Sequence, residues 1–189
     1  GRAGGVGGRR AGAGRRREGH WRAEGAGGGG RDGAARYGVD AGTGETGTAA
    51  HDRARALKAD ALLSEAHSHG IDPGLVERRE PLLLHGPVAA GWLEHDDRYD
   101  NDCVIQAVRW HTTGFPGMDK AAKTVFLADK LDPDKVRRYA YLEKVPSLAE
   151  DDLDTAIVEY LDRPRHYLPH PGMLIHPARV AVRHHPISG

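Results

Sequence analysis

Residues 102–114 read DCVIQAVRWHTTG. Val104, Val108 and His111 recur in them at i, i+4 and i+7, which is the spacing of one face of an α-helix. We therefore predict a helix over Asp102–His111 whose buried face carries an imidazole as well as two valines. A single inward histidine is most often a core residue with one hydrogen bond, so the other polar residues that the chain turns inward decide what this one does.

Helical periodicity also extends over four other stretches, and no alternating strand pattern competes with it. The fold class that we predict is all-α, a bundle of about five or six helices. The four stretches are Arg53–His69, followed by Gly70 as a left-handed C-terminal residue; Leu82–His95, with Pro87 in a first helical turn; Lys120–Leu131; and Asp151–Tyr167, stopped or kinked by Pro164.

Composition excludes several classes of protein. Lys+Arg and Asp+Glu number 27 each, so no whole-chain field attracts nucleic acid or a membrane. The single Cys103 excludes an intramolecular disulfide and a cysteine zinc cluster, and no apolar run is long enough to span a bilayer. We expect no membrane partner, no nucleic-acid partner and a cytoplasmic location.

The first 35 residues differ from the rest of the chain. They hold 14 glycines and 8 arginines with almost no large apolar residue, so they cannot offset their ordering entropy by burial. We predict a disordered, flexible tail over residues 1–35. A glycine/arginine mixture also suits an RNA-binding arm, but only Trp21 is available there to stack on a base.

Inward carboxylates accompany the inward histidines. Asp129 shares a helix face with Ala122 and Val125, and an unpaired carboxylate is costly to bury. Imidazoles and carboxylates without thiolate suit Fe, Mn, Co or Zn in a catalytic site rather than a structural zinc site. The candidate ligands are, in chain order, His20, His51, Asp52, His85, His111 and Asp129.

The adjacent pair His51-Asp52 suggests two metal ions. On a helix these side chains would point about 100° apart, so the imidazole could bind one ion while the carboxylate bridges to a second. Two ions roughly 3.5–4 Å apart hold a hydroxide between them and stabilise both the attacking and the leaving oxygen of a phosphoryl group. The chemistry indicated is hydrolysis of a phosphate ester or anhydride.

Seven short motifs follow one another along the chain. They are Arg36-Tyr37-Gly38-Val39-Asp40, His51-Asp52-Arg53-Ala54-Arg55, Leu83-Leu84-His85-Gly86-Pro87-Val88, Trp110-His111-Thr112-Thr113-Gly114, Pro116-Gly117-Met118, Phe126-Leu127-Ala128-Asp129 and Leu174-Ile175-His176-Pro177. Together they resemble the HD-domain phosphohydrolases, and among them the bacterial YqeK group of symmetrical diadenosine tetraphosphate hydrolases. The resemblance covers roughly residues 36–183, which it implies are one HD-type phosphohydrolase domain, with a degraded first helix or tail over 1–35 and a C-terminal tail over 184–189.

The resemblance implies roles for individual residues. His51, Asp52, His85, His111 and Asp129 would hold two divalent metal ions of a di-iron-type centre, with iron expected and Mn, Co or Zn as alternatives, and His20 as a sixth candidate. Asp52 would be the bridging, catalytic carboxylate. The expected substrate-binding residues are Arg55, Thr112, Thr113, Gly114 and Lys130, with Lys123 and Arg137 as further basic candidates.

Each substrate role also has a structural alternative. Arg55 and the lysines could equally lie on solvated helix faces, and Thr112-Thr113-Gly114 could be a helix C-cap and turn. Phe115 stands where the family often has arginine. His20 lies among glycines, which cost a helix about 1 kcal/mol each relative to alanine.

Two classes of function follow from the resemblance. The first is a hydrolase that cleaves diadenosine tetraphosphate (Ap4A) to two ADP with a metal-bound hydroxide, or an HD hydrolase of another nucleotide. The second is a catalytically weakened HD-fold protein that binds a nucleotide. The expected partner is a dinucleoside polyphosphate, and the sequence is compatible with a homodimer.

Overall fold

The computed structural model describes residues 46–47, 50–97, 99–162 and 174–184. These residues contain helices and turns without a strand, and none of their helices has the length and apolarity needed to cross a membrane. The predictions for residues 1–35, including His20, and for residues 163–173 and 185–189 lie outside the described ranges. The α-helices are α1 Ala59–Ser68, α2 Leu75–Arg79, α3 His85–Gly91, α4 Asp102–Trp110, α5 Lys120–Lys130, α6 Pro133–Arg138, α7 Val145–Asp151, α8 Leu153–Asp162 and α9 Pro177–His184.

Two apolar clusters share helix α4. Val104 and Val108 of α4 belong to a cluster that includes residues of α1 and α3, whereas Ala107 belongs to a second cluster that includes residues of α5, α7 and α8. Helix α4 itself packs against α3 and α5. Phe126 of α5, which is almost fully buried, is the largest side chain of the second cluster. Helix α4 is therefore the wall between the two halves of the core, and its C-terminal end lies where they meet.

Local signals define both ends of α4. The Asn101 side chain accepts a hydrogen bond from the Val104 N–H at 3.3 Å, which caps the first turn. At the other end the Gly114 N–H donates to the Trp110 carbonyl at 2.7 Å, and Gly114 has a φ of 70°, which favours glycine. The predicted helix over Asp102–His111 is confirmed, although it ends one residue early; His111 is still buried.

Helix α3 lies unusually close to the end of α4. A Cβ added to Gly86 would lie 2.8 Å from the Arg109 carbonyl oxygen, 3.0 Å from the Val108 carbonyl oxygen and 3.2 Å from Cε1 of His111. Only glycine fits this contact. The residue before it, His85, is thereby held beside His111.

The predicted helix over Arg53–His69 starts later than expected. Residues 51–57 form successive turns with hydrogen bonds between residues three apart, and Lys58 is extended before α1 begins. His51 and Asp52 therefore lie on tight turns, so the 100° separation of an α-helix is wrong for them. Gly70 has the left-handed conformation predicted for it, with a φ of 70°.

Two other predicted helices are divided. The helix predicted over Leu82–His95 is divided into three elements. A 3₁₀ turn over Pro81–Leu84 comes first, α3 follows with Pro87 in its first turn as predicted, and a π-helical turn over Trp92–Asp96 comes last. The helix predicted from Asp151 begins at Leu153, because Asp152 is extended and its side chain accepts from the Asp154 N–H at 3.0 Å.

Five or six helices were therefore too few for the described part of the chain. Helices α2, α6, α7 and α9 have five to eight residues each. Such lengths are too short to show a helical period reliably in a sequence. Helix α5 agrees with the prediction within one residue.

The C-terminal helix α9 closes the second half of the core. His176 precedes it; its Nδ1 accepts from the Ala178 N–H at 3.1 Å, and its Nε2 lies 2.7 Å from Glu77 Oε1 on α2. Val182 packs against the turn after α4, since a Cβ on Gly114 would lie 3.2 Å from Val182 Cγ2. Residues far apart in the chain thus support the end of α4.

Replacing Gly86 by Ala should separate α3 from α4. The added methyl meets backbone carbonyls, which cannot move aside as a flexible side chain can, so we expect Gly86→Ala to lower the free energy of unfolding by about 1–3 kcal/mol. Urea unfolding followed by circular dichroism measures this.

Gly74→Ala is the matched control for Gly86→Ala. The three atoms nearest to a Cβ at Gly74 all belong to the carboxylate end of Glu77, with Oε2 closest at 2.8 Å, and the end of a flexible side chain can move aside. If the two variants lose equal stability, the close approach at Gly86 does not constrain the fold.

Candidate metal centre

His85 and His111 face each other through their Nε2 atoms, which are 2.9 Å apart. The Nδ1 atom of His85 lies 2.5 Å from the Leu82 carbonyl oxygen, and Nδ1 of His111 lies 2.7 Å from the Val108 carbonyl oxygen. A carbonyl only accepts, so both Nδ1 atoms carry the ring proton. In neutral rings both Nε2 atoms then present lone pairs toward each other, an arrangement that a bound cation would stabilise.

Asp52 adds oxygens to this point. Its Oδ1 atom lies 3.4 Å from His85 Nε2 and 4.0 Å from His111 Nε2, and its Oδ2 atom lies 3.5 Å from His51 Nε2. Burial would raise the pKa of Asp52, but the neighbouring His85 and His51 side chains, when protonated, and the permanent charge of Arg55 outweigh it and hold the pKa well below the usual 3.8. The carboxylate is therefore ionised at neutral pH.

Asp129 lies on the other side of His51. Its Oδ1 atom is 3.9 Å from His51 Nε2, and its side chain is 13% exposed. Burial would raise the pKa of Asp129, but the adjacent Lys130 ammonium, and then the Lys135 ammonium, hold it well below the usual 3.8. Asp129 is the second ionised carboxylate of the cluster.

The structure thus brings together five of the six candidate ligands, while the sixth, His20, lies outside the described residues. Among them, His51, Asp52 and His111 each offer one ligand atom, and these atoms lie within 4.8 Å of one another. The His51 and His111 rings meet edge to face with centroids 4.8 Å apart. The five side chains come from the turns at 51–52, from α3, from the end of α4 and from α5.

The donor set fits a divalent metal ion. Metal-binding histidines usually donate their second ring N–H to a carbonyl or carboxylate, as His85 and His111 do here. Burial, helped by the charges of Lys130 and His51, lowers the pKa of His111 to about 3, so its imidazole is neutral at physiological pH. Neutral imidazoles and ionised carboxylates are the protonation states that a metal requires.

The Thr112-Thr113-Gly114 stretch divides into a part that faces the histidines and a part that forms the turn. Thr112 Oγ1 lies 3.1 Å from His111 Nε2 and 3.4 Å from His85 Nε2. Thr113 is buried, and its hydroxyl donates to the Gly114 carbonyl at 3.1 Å, while Gly114 closes α4. Only the Thr112 hydroxyl therefore lies against the candidate ligands.

The predicted basic residues have different surroundings. Arg55 is 51% exposed and donates to Asp52 Oδ2 at 3.1 Å, so it lies at the rim of the cluster. Lys130 is 11% exposed and donates to Asp129 Oδ2 at 2.5 Å. Lys123 instead pairs with Asp154 of α8, and Arg137 pairs with Asp134.

Lys135 was not predicted from the sequence, yet it reaches the cluster. Its Nζ atom donates to the Asp129 carbonyl at 2.5 Å and to Asp129 Oδ1 at 3.2 Å. The intervening Asp132-Pro133 begins α6 and turns the chain back toward α5. The aspartate cap followed by proline is a sequence signal for the start of α6, but not for the direction in which this helix leaves α5.

Known proteins with related sequences carry one name. No family model matches the chain. Three proteins named symmetrical bis(5'-nucleosyl)-tetraphosphatase are similar to it: 39% identity over 79 residues in Halalkalibacterium halodurans, 28% over 126 in Bacillus subtilis and 38% over 66 in Staphylococcus aureus. In the same order, the three matches cover 42%, 67% and 31% of this chain. They cover 41%, 66% and 34% of the length of the respective relatives. The resemblance inferred from the motifs is confirmed. The chain matches less than two thirds of the length of each relative.

A solved structure identifies the fold. A protein from Clostridium acetobutylicum, described as a predicted HD superfamily hydrolase involved in NAD metabolism, matches with a TM-score of 0.73 and 24% identity. The match covers 80% of this chain and 79% of that one. The chain has the HD-domain fold. The HD-domain bundle predicted from the motifs is thus confirmed.

The buried His111 should make the HD bundle sensitive to acid. Its pKa is about 3 in the folded protein against 6.5 normally, so the unfolded chain binds the proton first as pH falls. The free energy of unfolding should therefore be highest above about pH 6.5. Below that pH it should fall by up to about 1.4 kcal/mol per pH unit. Urea unfolding of EDTA-treated protein between about pH 7 and about pH 5 measures the slope.

Two variants test the assignment to His111. His111→Gln should flatten the pH dependence between these values, whereas His184→Gln, which removes an exposed histidine of α9, should retain it. The carboxylates Asp52 and Asp129 titrate below this range, since their pKa is held under its usual value. An unchanged slope in His111→Gln would contradict the assignment.

Proposed function

We propose that this chain is a metal-dependent phosphoanhydride hydrolase that cleaves a dinucleoside tetraphosphate, most simply Ap4A, symmetrically to two ADP. One observation carries the proposal: the Nε2 atoms of His85 and His111 converge beside the Asp52 carboxylate, an arrangement that a divalent cation would stabilise. The name shared by the three relatives supplies the reaction and the substrate.

The five side chains His51, Asp52, His85, His111 and Asp129 would hold two divalent ions, with iron as the expected metal. When bound, such a pair supplies a hydroxide nucleophile at neutral pH and a Lewis acid for the phosphoryl oxygens. Asp52 lies within 4.0 Å of all three imidazole Nε2 atoms, which suits the bridging role that we assign to it. His20 would be a sixth ligand.

The protein's own groups prepare the site. The carbonyls of Leu82 and Val108 hold the His85 and His111 rings with Nε2 pointing inward, so no proton has to leave either atom before a cation binds. Arg55 presents a permanent positive charge at the rim, where a polyphosphate would enter. The Thr112 hydroxyl, close to both rings, would donate a hydrogen bond to a phosphate oxygen.

The proposed functional unit is the segment of residues 36–183 that carries the motifs. Its limits rest on the motif pattern, and its first residues precede the described ranges. In this unit the residues around His51-Asp52 and the helices α3 to α5 supply every ligand assigned above except His20.

Metal content and products test this function together. We expect protein purified without oxygen, or stripped and reloaded with Fe²⁺ or Mn²⁺, to hold about two ions per chain and to release ADP from Ap4A. Elemental analysis gives the metal content, and chromatography of the nucleotides gives the products. His85→Gln and Asp52→Asn should lower the metal content, and they should lower the rate of ADP release by at least about 100-fold.

His95→Gln is the matched control for His85→Gln, because its side chain is 60% exposed and lies away from the cluster. Release of ATP and AMP would contradict symmetric cleavage. Protein that binds metal and ADP without turnover would support a nucleotide-binding role instead, and protein that cannot be reloaded with metal would overturn the proposal.

A further inference from the structure

Two lysines from different helices bind the same carboxylate, that of Asp129. Lys130 belongs to α5 and Lys135 to α6. Their Nζ atoms donate to Oδ2 and Oδ1 respectively, at 2.5 and 3.2 Å. One ammonium beside Asp129 is enough to keep its carboxylate ionised, so the second lysine is not needed for that purpose.

Lys130 is fixed in the interior. Besides Asp129, its ammonium donates to the His111 carbonyl at 3.0 Å and lies 5.0 Å from the centre of the Phe126 ring. Moving it toward a ligand would leave the buried His111 carbonyl and the carboxylate without this donor, at a substantial free-energy cost. Lys130 therefore positions Asp129 and the end of α4.

Lys135 has the opposite character. Its side chain is 41% exposed, and its two hydrogen bonds both go to Asp129, one to the backbone carbonyl and one to the carboxylate. An ammonium has three N–H donors. Within the described ranges these two bonds leave one donor of Lys135 available, on the solvent side of the cluster.

The positions of Lys135 and Arg55 are related through His51. Arg55 bonds to Asp52 and Lys135 bonds to Asp129, and His51 Nε2 lies 3.5 Å from Asp52 and 3.9 Å from Asp129. The two exposed cations thus pair with two different carboxylates of the same cluster.

We infer that Lys135 is a phosphate-binding residue that holds one half of a polyphosphate while Arg55 holds the other. The inference rests on the proposed function, because symmetric cleavage of a tetraphosphate leaves two diphosphates of equal size. A cation beside each of the two carboxylates would provide one anchor for each diphosphate. On this inference, Lys135 rather than Lys130 would have the substrate-binding role that the sequence predicts for Lys130.

Binding of ADP tests the inference directly. Isothermal titration of the metal-loaded protein with ADP should show a dissociation constant raised by about ten-fold in Lys135→Gln, the loss expected for one charge-assisted hydrogen bond at an exposed site. Lys135→Arg should restore affinity to within about two-fold, because it keeps the charge. Elemental analysis should find the metal content of both variants unchanged.

Lys120→Gln is the matched control. Lys120 is exposed on α5 and lies roughly 14 Å along the helix from Asp129, so its removal changes net charge equally without touching the cluster. ADP affinity should be unchanged in Lys120→Gln. Lys130→Gln should instead lose metal, because the carboxylate that it positions is released.

The outcomes separate this inference from the proposed function. If Lys135→Gln binds ADP as tightly as the unaltered protein, or loses metal as Lys130→Gln does, the phosphate-binding role is overturned, whether or not Ap4A is cleaved. If the unaltered protein does not cleave Ap4A but binds ADP through Lys135, the inference stands and the proposed function fails.

Discussion

The close contact between α3 and α4 at Gly86 is the constraint on which the site depends. With no side chain at Gly86, the carbonyls of residues 108 and 109 approach the backbone of α3 closely. His85 is thereby set opposite His111, near enough for their Nε2 atoms to converge. The cluster is thus a product of helix packing rather than of a surface loop, and the two halves of the core hold it from both sides.

Electrostatic strain in the cluster is balanced by groups placed behind it. Two carboxylates and several imidazole lone pairs face one another, an arrangement that is unfavourable without compensation. Backbone carbonyls take the outward ring protons of His85 and His111, and the Lys130 ammonium lies behind Asp129. The carboxylates are therefore ionised, and the inward Nε2 atoms of His85 and His111 are free to accept, before any cation is present.

The sequence predicted the long elements and the inward polar residues better than the short connections. His111 and Asp129 were found because each shares a helical face with apolar residues, a pattern that depends only on local spacing. Lys135 was missed because its approach to Asp129 depends on the reversal of the chain at Asp132, a tertiary feature. The turns at 53–57 were mistaken for helix, because Leu57 fits the same helical spacing as Ala61 and Ala66 farther along the chain.

The pairing of His176 with Glu77 has a consequence for the order of folding. These residues are separated by 99 positions, so their contact closes a longer loop than the other contacts described above. The loss of chain entropy on closing it is correspondingly the largest. Contacts of this range form after local helices, so α9 should dock late and detach early. Because Val182 of α9 packs on Gly114, the lifetime of that docked state also governs how long the turn after α4 stays protected from hydrogen exchange.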